Sequence, residues 1–532
     1  MEDLKKKYLN LLEENEFALI KSADEYFLSH YLGFPLNVLT NFSGTTAEAL
    51  IDKRGKIIIF VDPRYHEQAD FECKGVEVVK LNMGDSFAKA ISSVVGQNKL
   101  HISESFTVLF YEKLKSLGLN LAQYKDFDGW ENKNLDKTKK IFEVDKKICK
   151  KGFQDKFKIL KNKCKARYLY VSSLEEIAYL TNLRSFQMNE TSTFVAKLLF
   201  DFENGATLFC DDEIKNPPNG LKILPLDEFE KQISKIKEDV LINKNAITLG
   251  DFSKIKKPVA LKTNYVANMA SIKEKGEIEH YKTSFARLDK ALLEFKKQIK
   301  AGLSECELKE IFENELIKAG AKCTSFKTIL AISENSSSIH YTNCDKNRKL
   351  KNGDTILLDC GGYYEGGYAT DITRVFACGE NISPLKKRIY TAVLKAFFRA
   401  YHLNSFYGAH LDLIVRKILN PYKKQGFLFP HGLGHGIGIP VHQSPPTISS
   451  YSNKIFPIRK NMTHTIEPGL YGEKDGEKFG IRLENSVYCT GKGERESFSK
   501  FEFEQKLINY DMLNLREKKW LETWQNEAKK IV

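Results

Sequence analysis

The sequence predicts an α/β (α+β) protein of three domains, and three observations predict it. Its 532 residues exceed what a single hydrophobic core can organise. Two early segments repeat one pattern, an apolar strand followed by a Ser-x-x-Glu helix start and then Leu-Thr-Asn. Beyond Ser325 the texture changes from helical periodicity to short strand-like runs broken by glycine. The expected boundaries are 1–143, 144–266 and 267–532.

The repeat lies in FALIKSADEYFLSHYLGFPLNVLTNFSG (17–44) and YLYVSSLEEIAYLTNLRSF (168–186). A further strand is expected some way after each, KIIIFVDPRY at 56–65 and GATLFCDD at 205–212. Two copies indicate a duplicated unit rather than a solenoid. The third domain opens after Pro258 with two blocks of helical periodicity separated by Ala301 and Gly302, so two long helices are expected there.

Composition excludes several function classes. A hydrophobic content of 42% supports packed cores, and the absence of low-complexity tracts argues against long disordered regions. The net charge of +13 is mostly dispersed lysine, with no base-stacking motif or arginine cluster, so nucleic acid is not an expected partner. The densest basic stretch, 146–165, spaces Ile148, Phe153, Phe157 and Leu160 as a solvated helix would. Charges thread the N-terminus at helical spacing, unlike a signal peptide, and no run is long and apolar enough to span a bilayer. A cytoplasmic protein with no membrane partner is expected. Its ten cysteines are scattered without a C-x-x-C pair, which fits reduced thiols.

The chemistry concentrates in the third domain. In DTILLDCGGYYEGGYATDITRVF, Asp359 ends an apolar strand and Asp371 begins another across a glycine-rich bend. Isolated ionised carboxylates in apolar settings are strongly disfavoured, and a metal ion is their natural partner. Three further segments add donors: HGLGHGIGIPVHQSPP with His435, THTIEPGLY with Glu467, and GIRLEN with Glu484. Four carboxylates and one imidazole form a mixed hard and borderline set suited to manganese, cobalt, iron or zinc. Each residue alone also fits a turn former, a solvent-facing strand residue or a tight loop; the set in this order is far more specific.

Together these residues resemble the pita-bread metallopeptidases, which include methionine aminopeptidase, prolidase and aminopeptidase P. The earlier domains resemble the two creatinase-like N-terminal domains of the three-domain, cytosolic Xaa-Pro aminopeptidases, and KFEFEQKLINYDMLNLREKKWLETW resembles their closing segment. The resemblance implies two divalent ions, by analogy manganese, on Asp359, Asp371, His435, Glu467 and Glu484. It also implies a homodimer and release of the N-terminal residue from peptides with proline second, by attack of a metal-bridging hydroxide. The step from Asp359 to Asp371 is 371 − 359 = 12, one residue longer than the family's, which puts the bend in question more than the ligands.

The same resemblance assigns supporting roles. Glu467 would also relay a proton to the leaving nitrogen. His340, His431 and His442 fit histidines that stabilise the intermediate or hold the substrate. Arg482 would hold a carboxylate beside the substrate. Arg64, in DPRYHEQAD, resembles an arginine that reaches the substrate, although a pair with Asp62 explains it equally well. Two rival readings remain: a prolidase acting on Xaa-Pro dipeptides, and a non-catalytic peptide- or protein-binding protein on the same fold. The second usually goes with lost ligands, and all five are present here.

Overall fold

The computed structural model describes residues 2–26, 34–127, 135–452 and 456–530. Contacts divide it into two compact units, the first comprising 1–143, 151–188 and 193–266, and the second 144–150, 189–192 and 267–532.

Two six-stranded sheets build the first unit. In space the first runs Glu77–Lys80, Ile57–Val61, Ala47–Asp52, Phe17–Lys21, Lys99–Ser103 and Asn120–Tyr124. The second runs Leu221–Leu224, Gly205–Phe209, Lys197–Asp201, Tyr168–Val171, Val240–Ile242 and Pro258–Ala260. Strand order and the alternation of parallel and antiparallel pairs are the same in both. The repeat seen in sequence is thus a repeated topology. In the second copy, Ser173 caps the helix Leu174–Thr181 by accepting from the Glu176 amide at 3.3 Å. In the first copy the expected start, Ser22 to Glu25, is bend and turn rather than helix, 27–33 lie outside the described residues, and a helix spans Pro35–Thr40. One core joins the sheets, packing Leu19, Leu50 and Phe60 with Tyr170, Leu199 and Phe209. The basic stretch at 146–165 is helical only over Phe153–Lys163, and its Lys156 is buried, donating to the Tyr179 carbonyl and Asn182 Oδ1.

In the second unit, the helices Lys275–Gln298 and Glu305–Lys318 break at Ala301 and Gly302 as expected. Ser304 starts the second of them with a reciprocal capping box to Glu307. Antiparallel sheets follow, beside a short two-stranded pair of Cys323–Thr324 with Gly362–Tyr363. One pairs Ile329–Ile332, Thr355–Cys360 and Ile372–Ala377; another Phe427–Leu428, Gly469–Lys474 and Glu477–Arg482. The third has five strands centred on Thr463–Ile466. The helices Pro384–Tyr401 and Leu515–Ala528 pack on them through a core containing Phe397, Phe398, Phe503 and Trp524. This is the mixed α/β architecture expected. No described helix is long and apolar enough to cross a membrane.

The expectation of ten free thiols does not hold. Cys306 and Cys344 are joined as a disulfide across a sequence separation of 38, and the other eight are free. No local motif signals the pair, because it forms only where a loop returns to the start of a helix.

Candidate metal centre

The two aspartates lie on adjacent strands of one ladder. Asp359 faces Thr373 across the pair Thr355–Cys360 and Ile372–Ala377, and Asp371 immediately precedes the second strand. The longer bend between them closes as a small hairpin, with the Thr370 amide donating to Gly362 O at 3.1 Å and the Gly367 amide to Tyr364 O at 2.8 Å. Glycine is needed at position 361, where a Cβ would meet the Thr370 carbonyl at 1.8 Å.

His435 sits at a β-bulge, where the register shifts between His435 and Gly436. Its Nδ1 lies 3.0 Å from the Gly436 carbonyl, an acceptor only, so Nδ1 carries the proton and Nε2 keeps its lone pair. That Nε2 is 3.5 Å from both Asp371 Oδ2 and Glu467 Oε1. Ligand atoms of Asp371, His435 and Glu484 all lie within 4.8 Å of one another, close enough to share one ion. Glu467 joins this group through His435 and accepts from Thr465 Oγ1 at 3.3 Å. Glu484 is oriented by Thr373, whose hydroxyl donates to Oε2 at 2.8 Å.

Charge balance is the feature that distinguishes the site. Burial, and then the neighbouring carboxylates, push the Asp371 and Glu484 acids well above the usual carboxylate range. Arg482 lies among them, its Nη2 donating to Asp359 Oδ2 at 2.6 Å, and Arg374 stands beside them, donating to the Glu484 backbone carbonyl at 2.7 Å. Asp359 Oδ1 is buried without a hydrogen-bond partner among the described residues. Like charges held together out of water need cations, and clustered carboxylates with an imidazole are the donor set a divalent ion takes. The residues present fit two such ions.

Arg482 is hydrogen-bonded on several sides. It is 2% exposed and donates to Asp359, to Tyr471 Oη at 2.8 Å, to Thr373 Oγ1 at 3.1 Å and to the Ile339 carbonyl at 3.4 Å. It thereby holds Asp359 and the chain next to His340. His431 is also buried, with Nδ1 2.8 Å from Gly432 O and Nε2 2.9 Å from Tyr471 Oη. Arg482, Tyr471 and His431 thus form one hydrogen-bonded row behind the carboxylates. His442 is exposed, its ring centroid 4.2 Å from that of His435. Arg64 belongs to the first unit and makes a two-pronged pair with Asp62, at 3.0 and 2.6 Å.

Three participants escaped the sequence reading: Tyr471, Thr373 and Thr465. Strand alternation could have found two of them, since Thr373 shares a face with Asp371, and Thr465 with Glu467. Nothing local marks Tyr471, which depends on the hairpin Gly469–Arg482 folding it back on Arg482.

Comparison with known proteins gives a consistent result. Residues 279–491 match the Metallopeptidase family M24, and residues 33–133 and 132–277 match two Creatinase/Prolidase N-terminal domain families. An Xaa-Pro dipeptidase of Pyrococcus horikoshii is 31% identical over 52% of this chain and 76% of its own length. A probable Xaa-Pro aminopeptidase P of Laccaria bicolor is 28% identical over 92% of this chain and 83% of its own. Xaa-Pro aminopeptidase 1 of Dictyostelium discoideum is 26% identical over 92% and 86%. In fold, the chain matches the Caenorhabditis elegans X-prolyl aminopeptidase with a TM-score of 0.85 at 21% identity, covering 97% of this chain and 91% of that one. The chain, with its converging carboxylates and its identity to the archaeal dipeptidase, belongs to metallopeptidase family M24.

Proposed function

We propose that this hydrolase is a dinuclear aminopeptidase that removes the N-terminal residue from peptides with proline in second position. One observation carries the reading: four carboxylates and an imidazole converge in excess of the guanidinium charge beside them, in a chain two of whose relatives over 92% of its length are Xaa-Pro aminopeptidases. Asp359, Asp371, His435, Glu467 and Glu484 would hold the two ions. Bound there, divalent cations supply the missing positive charge and the Lewis acidity that polarises a carbonyl and acidifies water. Manganese fits the oxygen-rich donor set; the cytoplasm and a homodimer are carried over from the family resemblance.

The remaining steps belong to the chain's own side chains. Glu467, at 3.5 Å from His435 Nε2, is the base that takes a proton and passes it to the departing prolyl nitrogen. Cleavage of an Xaa-Pro bond needs that delivery, because the amide nitrogen starts without a hydrogen. His442, exposed beside His435, and His340 donate hydrogen bonds where negative charge develops on the scissile carbonyl. His431 and Arg482 act through Tyr471 and Asp359 and keep the carboxylates in place. Arg64 is assigned to substrate binding on resemblance alone.

The test is hydrolysis of Arg-Pro-Pro, Arg-Ala-Ala and the dipeptide Arg-Pro by metal-stripped protein with and without added manganese. Metal-dependent cleavage of Arg-Pro-Pro alone supports the proposal. Cleavage confined to the dipeptide would replace it with a prolidase, the reading favoured by the 31% identity to the archaeal dipeptidase. No cleavage with metal bound would leave a binding protein.

A further inference from the structure

His340 lies on a segment whose two legs return to the same place, the first turn of the helix Glu305–Lys318. The Glu305 carboxylate, fully buried, is the hub. Its Oε1 accepts from the Ile332 amide at 2.7 Å and Asn335 Nδ2 at 3.0 Å; its Oε2 accepts from Tyr341 Oη at 2.6 Å and the Asp345 amide at 2.9 Å. The far leg is fastened by the Leu350 amide donating to Leu303 O at 2.8 Å and by Lys349 Nζ at 2.9 Å from Glu307. On its inner side, Ile339 O accepts from the arginine that holds Asp359.

The disulfide sits on this hub. Cys306 follows Glu305 directly, and Cys344 precedes Asp345, so the bond fastens covalently the same two backbone points that Glu305 joins by hydrogen bonds. Both sulfur-bearing residues are partly exposed, whereas seven of the eight free cysteines are buried. A thiol reagent in solution therefore meets this pair in preference to nearly every other cysteine.

We propose that Cys306 and Cys344 form a thiol–disulfide modification site, exchanged with low-molecular-weight thiols, whose bonded form fixes the loop presenting His340. The exchange balances: two thiols RSH reduce the Cys306–Cys344 bond, giving two protein thiols and one RSSR, through a mixed disulfide on one of the cysteines. Reduction leaves the Glu305 hydrogen bonds but removes the covalent tie, so 338–349 opens more readily and His340 is held less firmly against the developing charge. The kinetic consequence rests on the aminopeptidase reading; the chemistry of the pair and the order of the loop do not.

The test uses the full chain equilibrated with either reduced or oxidised glutathione. Alkylation followed by peptide mapping should give a linked Cys306–Cys344 peptide in the oxidised sample and two labelled thiols in the reduced one. Amide hydrogen exchange over 338–349 should quicken about tenfold on reduction. Turnover of Arg-Pro-Pro should fall about three- to tenfold in kcat with little change in KM, and recover on reoxidation. The double variant Cys306→Ser/Cys344→Ser should match the reduced protein in exchange and kcat and not respond to glutathione, while Cys323→Ser should still respond. Two labelled thiols in the oxidised sample would overturn the proposal, as would equal exchange or equal kcat in the two states. If mapping and exchange behave as expected but neither state cleaves any peptide, the aminopeptidase reading fails and the modification site stands.

Discussion

The two units bury ionised groups in opposite ways. In the first, Asp251 is 5% exposed but closed within its own neighbourhood: Lys197 Nζ is 2.7 Å from Oδ1, Tyr170 Oη donates to Oδ2 at 2.6 Å, and Thr248 Oγ1 caps the backbone amide at 3.2 Å. Lys254 Nζ adds a second positive charge at 3.8 Å, so this carboxylate is neutralised, and both its oxygens are satisfied. In the second, the four acids Asp359, Asp371, Glu467 and Glu484 outnumber the guanidinium groups of Arg482 and Arg374 beside them, and one Asp359 oxygen has no hydrogen-bond partner among the described residues. A buried acid is therefore not by itself the mark of a functional site. The informative quantity is charge that the fold does not neutralise.

The sharpest way to break that comparison is to neutralise one acid from each group. Asp371→Asn should lower kcat/KM for Arg-Pro-Pro by at least about a thousandfold, or about 4 kcal/mol of transition-state stabilisation. Asp251→Asn should leave kcat/KM within about twofold, yet cost about 3 to 5 kcal/mol of stability in denaturant unfolding, because Lys197 is left as an uncompensated buried charge. Loss of peptidase activity in the Asp251 variant at full folding would defeat the distinction.

Metal binding gives the next largest effect. Manganese at about a hundred times its Kd should stabilise the second unit by about 2.7 kcal/mol through mass action. Calorimetry of the metal-stripped chain should show this increment in the wild type and in Asp251→Asn, and show it greatly reduced in Asp371→Asn. Arg482→Lys should then lower metal affinity about 10- to 100-fold, since an ammonium cannot span Asp359, Tyr471 and Thr373 together. Titration calorimetry with manganese checks it.

The smallest effect is a pH dependence confined to the first unit. Burial pushes the Glu176 carboxyl from 4.5 up to about 7, with Asn264 donating to it at 2.6 Å. Because the folded value lies above the unfolded one, its contribution to stability is complete below pH 4.5 and lost as pH rises through 7. Glu176→Gln should flatten the stability curve in that window and leave the pH profile of peptide hydrolysis unchanged; a shifted hydrolysis profile would tie this acid to the chemistry after all.

The duplicated sheets were legible because their pattern is local: strand, helix start and Leu-Thr-Asn recur in order, and the structure repeats the same strand order. The helix pair around Gly302 was legible for the same reason. Residue type and order named Asp371, His435 and Glu484, and the fold brings their ligand atoms within 4.8 Å. Lys156, assigned to a solvated face, is buried because that helix packs inward through Phe153 and Leu160.

The sequence by itself determined which segments become strands and helices and which side chains carry donor atoms, since periodicity and residue chemistry are written within a few positions. Convergence belongs to the tertiary structure alone. Asp359 and Glu484 are 484 − 359 = 125 residues apart, and the bulge at His435, the Tyr471 contact and the Cys306–Cys344 bond each depend on strands and loops meeting across such distances. Backbone pairing between distant segments sets which side chains share a face, and no local pattern encodes that partner.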